Sequence, residues 1–118
     1  MTDLRFPKAT SAHARKRHAL APATDDAFRA FSKAVFAKGA LDTRTKQLIA
    51  AACSHVTQCP WCIEGHVKAA QREGASAEQI MEAIWVAAEM RAGASYAHSI
   101  KALELLEIGT ADLRSKEQ

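Results

Sequence analysis

Two cysteines and two histidines fall within the twelve residues from His55 to His66, and they are the side chains best suited to chemistry in this sequence. Cys59 and Cys62 form a CxxC pair, a spacing at which a disulfide closes without a large backbone movement. Pro60 suits the opening turn of a helix. The free N–H groups and the positive dipole end of a helix N-terminus favour a thiolate, the form that attacks peroxides and disulfides. The stretch therefore predicts redox chemistry.

His66 follows Cys62 by four residues, so on a helix the two side chains lie one turn apart on the same side. An imidazole at this place can accept the thiol proton, because a thiol becomes a nucleophile only with a lowered pKa or an adjacent base. Gln47 and His55 precede Cys59 at multiples of four residues, so both are expected to point towards the cysteine end of their helix. His55 then either relays protons or caps the pocket.

The same four side chains, His55, Cys59, Cys62 and His66, also form a possible Cys2His2 zinc site. Structural zinc sites of that kind usually draw their paired ligands from separate elements at longer separation, which favours the redox interpretation here. A c-type haem is excluded because a CxxCH motif needs histidine at the position of Ile63. No cofactor is expected.

Four other side chains could contribute to the site or to the core around it. Cys53 lies on the apolar side of its helix, where we expect a small buried hydrophobe rather than a third redox thiol. Trp61 is expected to shield the site, and Trp85 to belong to the core. His98 either lines the pocket or bonds across a subunit boundary, and the sequence leaves both roles open.

The composition is that of a single helical domain. The chain has 118 residues, of which 48% are hydrophobic and 25% charged, with only 5 Gly and 3 Pro and no strand alternation. We expect an all-α fold, with a basic arm over residues 1–22, a helical domain over 23–109 and a frayed tail over 110–118. The many apolar helical positions predict a homo-oligomer, because a small domain buries a limited share of its surface alone.

The net charge of +3 is concentrated in the arm, which holds five Lys or Arg side chains and one Asp. We expect this arm to be solvated and to pack on a neighbouring subunit rather than to bind nucleic acid, since no recognition helix or aromatic interleaving accompanies it. No apolar run is long enough for a signal peptide or a membrane span, so the expected location is the cytoplasm. In that reducing compartment, three cysteines that include a CxxC indicate redox or metal chemistry.

Apolar periodicity and end signals predict four helices. Their expected ranges are, in order, from Thr24 to a stop at Gly39, from the cap Asp42 to about Gln58, from Pro60 to about Glu73, and from the cap Ser76 to Gly109. Ser76 and Gln79 resemble a capping box. Gly93 is expected to bend or break the last helix.

The sequence resembles the carboxymuconolactone decarboxylase superfamily, and within it the alkylhydroperoxidase AhpD-like branch. The resemblance rests on Lys46-Gln-Leu-Ile-Ala-Ala, on His55-Val-Thr-Gln-Cys-Pro-Trp-Cys-Ile-Glu-Gly-His66 and on Arg91-Ala-Gly-Ala-Ser-Tyr-Ala-His98. It covers roughly residues 24 to 105, and the CxxC followed by His66 is its specific part. It implies an AhpD-like helical bundle, a homo-oligomer built from trimers or dimers of trimers, and thiol-dependent reduction of hydroperoxides.

The resemblance also implies roles for the site residues. Cys62 corresponds to the peroxidatic cysteine and Cys59 to its resolving partner, although helix electrostatics alone would favour Cys59 as the nucleophile. His66 would take the Cys62 proton, the thiolate would attack the peroxide, and Cys59 would condense with the resulting sulfenic acid. Gln47 stands where the family usually has a glutamate. A glutamine cannot accept a proton, so we expect weaker general-base assistance.

The expected partners are a hydroperoxide, organic rather than H2O2 if the pocket is apolar, and a lipoyl or thioredoxin-like dithiol reductant. Two other classes of function stay open. One is a non-catalytic oligomer that senses redox state or binds zinc through the same residues. The other is a carboxymuconolactone decarboxylase, which we rank lower because those enzymes generally lack the CxxC.

Overall fold

The computed structural model of the chain describes residues 6–107, 109, 110 and 113, and this part consists of helices and short connections, without a strand. The prediction of an all-α fold is confirmed. Within the described residues the helices are α1 (Ser11–Leu20), α2 (Pro22–Phe36), α3 (Thr43–Thr57), α4 (Pro60–Arg72) and α5 (Ala77–Leu105). No helix in these described ranges is long and apolar enough to cross a membrane.

Side chains at the helix N-termini define where three of the helices begin. Asp42 accepts a hydrogen bond from the Thr45 backbone N–H (2.8 Å), and Ser76 and Gln79 form the predicted capping box. Cys59 caps α4 with its sulfur, which accepts from the Cys62 backbone N–H. These caps satisfy backbone donors that have no partner inside the helix, so the predicted starts of α3, α4 and α5 are confirmed.

Two helix predictions were wrong. The arm contains α1, and α2 begins at Pro22 rather than after Thr24, because the fixed φ of proline suits a first helical position. The second error is the break expected at Gly93, because α5 continues through Gly93 to Leu105, while a bend there stays a prediction. A single glycine costs a helix about 1 kcal/mol, which a packed helix of this length tolerates.

The core lies where α3 packs along both α4 and α5. Its buried residues are small: Ala51, Ala70 and Ala87 are almost fully buried, and Ile80 is 6% exposed. Small side chains let the helix axes approach closely, so the α3–α4 pair is held in a fixed arrangement. That pair carries the CxxC turn.

The single chain is extended, measuring 68 × 33 × 32 Å with a radius of gyration of 21.4 Å. A compact domain of this length has a radius of gyration of about 13 to 14 Å. Large apolar side chains consequently remain exposed on α2 and α5, among them Phe28, Phe31 and Tyr96. Trp85, predicted to be core, is 67% exposed, so that prediction is wrong for the single chain.

The two ends of the chain were predicted as an arm and a frayed tail. Within the arm, residues 1–5 lie outside the described residues. The tail predicted over 110–118 also lies outside them, apart from positions 110 and 113.

Candidate functional site

The CxxC pair is positioned by a very short connection between α3 and α4. Gln58 ends α3 in the left-handed conformation (φ 57°), and the Cys59 backbone N–H donates to the Ser54 carbonyl (3.1 Å). This hydrogen bond satisfies one of the carbonyls at the end of α3, as in a Schellman ending. Cys59 then caps α4 directly, so only two residues separate the helices. The turn therefore places the end of α3 against the start of α4.

Cys59 and Cys62 are joined by a disulfide, with Cα atoms 5.2 Å apart. The Cys62 backbone N–H donates to the Cys59 sulfur at 3.2 Å. Both residues lie at the N-terminus of α4, as the sequence predicted, and both are half-buried. The two sulfurs are thus placed for the expected intramolecular pairing.

His66 lies one turn after Cys62 on α4 and is held by a side chain of α3. Its Nδ1 is 2.8 Å from Oε1 of Gln47. An amide oxygen only accepts hydrogen bonds, so Nδ1 carries the proton that is donated to Gln47. In the neutral imidazole the lone pair is then on Nε2, the atom free to act as a base.

Phe36, at the end of α2, is a part of the site that the sequence analysis missed. Its ring stacks on the His66 imidazole, with centroids 5.2 Å apart and planes 24° apart. The Lys46 ammonium holds this end of α2 by donating to the carbonyls of Val35, at 2.8 Å, and Ala37. Lys46 and Gln47 are consecutive on α3. Lys46 holds the end of α2 that carries Phe36, and Gln47 contacts His66 directly, so two adjacent residues support both contacts of the imidazole. No pattern in the sequence pairs a residue of α2 with one of α4.

His55 lies on the last turn of α3 and is half-buried, but its Nδ1 donates to the carbonyl of Ala51 in its own helix (2.6 Å). Its hydrogen bond therefore goes neither to Gln47 nor to His66. Within the described residues, no group of three or more His, Cys, Asp or Glu side chains is arranged to hold a metal ion.

Trp61, between the two cysteines, is tied to the beginning of the described chain. Its indole N–H donates to the Pro7 carbonyl (2.8 Å), and the Phe6 ring lies 5.9 Å from it, tilted by 47°. Lys8 also contributes, after the hydrogen bond and charge of Lys68, to lowering the pKa of Glu64 on α4. Phe6 and Pro7 of the arm thus contact Trp61 of the CxxC turn in their own chain, and the packing of the arm on a neighbouring subunit stays a prediction.

The remaining candidates lie apart from this turn. Cys53 is exposed, so the prediction of a buried hydrophobe is wrong for the single chain. His98 is exposed on α5, where its Nδ1 donates to the Ala94 carbonyl of its own helix (2.7 Å). Arg91 of α5 does approach the site, because its guanidinium donates to the Val56 carbonyl at the end of α3 (2.9 Å). A cation at that helix end is electrostatically favourable.

Comparison with known proteins agrees with this fold. A Paracoccus denitrificans protein named "Uncharacterized protein 4 in cox locus" is 68% identical over 107 residues, or 91% of this chain and 96% of that protein. A carboxymuconolactone decarboxylase family protein from Legionella pneumophila is 32% identical with a TM-score of 0.66, covering 80% of this chain and 84% of that one. A protein structure from Methanobacterium thermoautotrophicum is 31% identical with a TM-score of 0.71, covering 76% and 98%.

Residues 22–105 match the model of one protein family, described as the carboxymuconolactone decarboxylase family. The matched range takes in α2 to α5 and therefore Gln47, both cysteines of the CxxC and His66. The CxxC followed by a histidine four residues later is consistent with the AhpD-like branch. The chain belongs to the carboxymuconolactone decarboxylase family.

Proposed function

We propose that this protein is a thiol-dependent peroxidase of the AhpD-like type, which reduces organic hydroperoxides through the Cys59–Cys62 dithiol. One observation carries the proposal: the disulfide lies at a helix N-terminus, one turn from an imidazole whose Nδ1–H is bonded to Gln47. That arrangement supplies a thiolate site and, on Nε2 of His66, an unprotonated nitrogen on the same helix.

The cycle begins with the reduced dithiol. Nε2 of His66 takes the Cys62 proton, and the thiolate attacks the terminal peroxide oxygen. The O–O bond breaks, the alkoxide takes a proton and leaves as an alcohol, and Cys62 becomes a sulfenic acid. The Cys59 thiolate then attacks that sulfur, the hydroxyl takes a proton and leaves as water, and the disulfide forms. A dithiol reductant, lipoyl or thioredoxin-like, restores both thiols and becomes a disulfide itself.

The two cysteines are supported by different groups. The Cys62 backbone N–H points at the Cys59 sulfur, where it would stabilise a thiolate in the reduced protein. His66 lies on the side of Cys62 instead. A stabilised Cys59 thiolate is a good leaving group, so a reductant is expected to attack the Cys62 sulfur of the disulfide and release Cys59.

Gln47 favours a second candidate function, a redox sensor whose disulfide state is the signal. An amide orients His66 but adds no negative charge to offset an imidazolium, so turnover would be slower than with a carboxylate. Catalytic turnover separates the two functions. An enzyme consumes many equivalents of peroxide per chain, whereas a sensor consumes one equivalent and stays in the disulfide form until its partner reads it.

We also propose that the working unit is a homo-oligomer, a trimer or hexamer, in the cytoplasm. Large apolar side chains are exposed on α2 and α5, and large apolar patches mark interaction surfaces, which supports their burial against a second copy of the chain. The cytoplasm suits a dithiol cycle because its thiol systems keep cysteines reduced between turnovers.

The test is peroxide consumption by the purified, reduced protein with cumene hydroperoxide and either dihydrolipoamide or thioredoxin as the donor. Cys59→Ser and Cys62→Ser are each expected to abolish multiple turnover. Cys53→Ser is the matched control and is expected to retain the activity, because Cys53 lies outside the CxxC turn. Equal activity in all three variants would contradict the proposal.

A further inference from the structure

A cleft of about 610 Å³ lies between the arm and the CxxC turn. We call it the arm cleft. Its lining residues are Pro7, Ala9, His13, Lys16, Arg17, Leu20 and Trp61. Volumes of a few hundred Å³ are typical of small-molecule sites. Trp61 lies between Cys59 and Cys62 in the sequence, so one wall of the cleft belongs to the CxxC turn.

One face of α1 forms the opposite wall. His13, Lys16, Arg17 and Leu20 are spaced three, four and seven residues from the first of them, which places them on the same side of a helix. Helix α1 has no buried residue, so this face is not docked into a core. It presents two permanent positive charges and one apolar side chain to the cleft.

The positive charges of the arm cleft are not neutralised. Among the described residues, neither Lys16 nor Arg17 has a carboxylate within ion-pair distance. The Asp26 carboxylate pairs with His18 at 2.9 Å, and the Glu64 carboxylate pairs with Lys68 at 2.8 Å. Among the residues that the structure describes, the lining contains no acidic side chain. The cleft is therefore complementary to an anion.

Apart from His13, the rest of the described lining is apolar. Leu20 is 86% exposed and Trp61 43% exposed, and both are available to a hydrocarbon or aromatic group. The Trp61 N–H is already bonded to the Pro7 carbonyl, so the indole offers its apolar surface rather than a donor. A small inorganic anion would leave this surface uncovered, whereas a carboxylate on an aliphatic stem would cover it.

We propose that the arm cleft binds an anionic amphiphile, a carboxylate on an aliphatic stem, beside the disulfide. Lys16 and Arg17 hold the carboxylate, and the stem lies along Leu20 and Trp61 towards the CxxC turn. Helix α1 lies outside the residues 22–105 that match the family model, whereas Trp61 lies within them. If the protein is the proposed peroxidase, this cleft also determines its substrate class. The enzyme then prefers organic hydroperoxides that carry a carboxylate over neutral ones.

Binding is tested on the oxidised full chain, without turnover, by following the two tryptophan indole N–H signals in NMR. Octanoate is expected to shift the Trp61 signal more than that of Trp85, and octylammonium, with the same stem and the opposite charge, to bind at least about tenfold more weakly. The octanoate affinity is expected to fall as salt rises from 50 to 500 mM. Equal binding of the two amphiphiles would overturn the proposal.

Two variants test the residues. Lys16→Gln combined with Arg17→Gln is expected to weaken octanoate binding by about tenfold, a change of about 1.4 kcal/mol. Arg15→Gln is the matched control and is expected to bind normally, because Arg15 lies on the same helix but lines a different groove. Unchanged affinity in the double variant would overturn the proposal. So would a Trp61 signal that shifts with protein concentration alone, since a second copy would then fill the cleft.

Turnover tests the extension to substrates. The ratio of kcat/KM for linoleic acid hydroperoxide to that for cumene hydroperoxide is expected to fall about tenfold in the double variant and to stay constant in Arg15→Gln. An unchanged ratio in the double variant would overturn the substrate preference while leaving the peroxidase intact. If neither hydroperoxide is consumed, the proposed function fails, and the octanoate measurements still decide whether the cleft binds anions.

Discussion

Replacing Gln47 by glutamate should speed the reaction of Cys62 with peroxide near neutral pH. Gln47 Oε1 is 2.8 Å from Nδ1 of His66, so a glutamate at this position would bring a carboxylate into direct contact with the imidazole. When His66 takes the thiol proton it becomes an imidazolium. A carboxylate stabilises that cation, whereas the present amide does not carry the charge to do so.

The expected size follows from Coulomb's law and the burial of the pair. Two unit charges about 4 Å apart attract by about 1 kcal/mol in water and about 4 kcal/mol at an effective dielectric constant of 20. Gln47 and His66 are both half-buried and solvent screens part of the attraction, so we take a value near the lower end, about 1.4 kcal/mol. That is about a tenfold increase in rate.

Single-turnover kinetics of the reduced protein with cumene hydroperoxide, measured between pH 5 and 9, provide the assay. Gln71→Glu is the matched control: it adds the same charge at an exposed position near the end of α4, and its rate should equal that of the parent. An unchanged or slower rate for Gln47→Glu, with fold and oligomer intact, would refute the reasoning. Gln47 would then lie off the proton path, and His55 or another group would perform the relay.

Three further predictions concern stability and assembly. Ser76→Ala removes the cap of α5 and should lower the free energy of unfolding, measured in urea, by about 1 kcal/mol. Ser95→Ala, at an exposed position of the same helix, should leave that free energy unchanged. Equal losses in the two variants would contradict the capping role. The hydrogen bond from the Thr45 backbone N–H lowers the pKa of Asp42, so the stabilisation by this carboxylate is present above about pH 4 and is lost as the pH falls through the lowered pKa. Asp42→Asn caps the helix without titrating, so its melting temperature should fall less than that of the parent between pH 5 and 2. Parallel falls in the two proteins would argue against this linkage. Light scattering at micromolar concentration should give the mass of a trimer or hexamer, and a folded monomer would require another account of the exposed apolar faces of α2 and α5.

Features that depend on a few adjacent residues were predictable from the sequence. The caps Asp42 and Ser76, the placement of Cys59 at the start of α4 and the one-turn spacing of Cys62 and His66 all follow from local rules. The pairing of Gln47 with His66 was predictable only through the family resemblance, which aligns Gln47 with the glutamate of the family's proton relay. Residue spacing alone does not connect the two helices.

Contacts between distant segments were not predictable in this way. The stacking of Phe36 on His66 and the bond from Trp61 to Pro7 join residues 30 or more positions apart, and neither leaves a periodic signal. The exposure of Cys53 and Trp85 was missed for a different reason. Apolar spacing identifies which face of a helix avoids water, but not whether the cover is the same chain or another copy.

The most direct test of the account is a stoichiometric reaction of the fully reduced protein with one equivalent of cumene hydroperoxide. The chain has 3 cysteines, and two of them should be lost as thiols while one equivalent of cumyl alcohol forms. Peptide mapping should then find a Cys59–Cys62 disulfide and a free Cys53. Three thiols that survive the peroxide, together with stoichiometric zinc in the purified protein, would contradict the dithiol mechanism and favour the metal site instead.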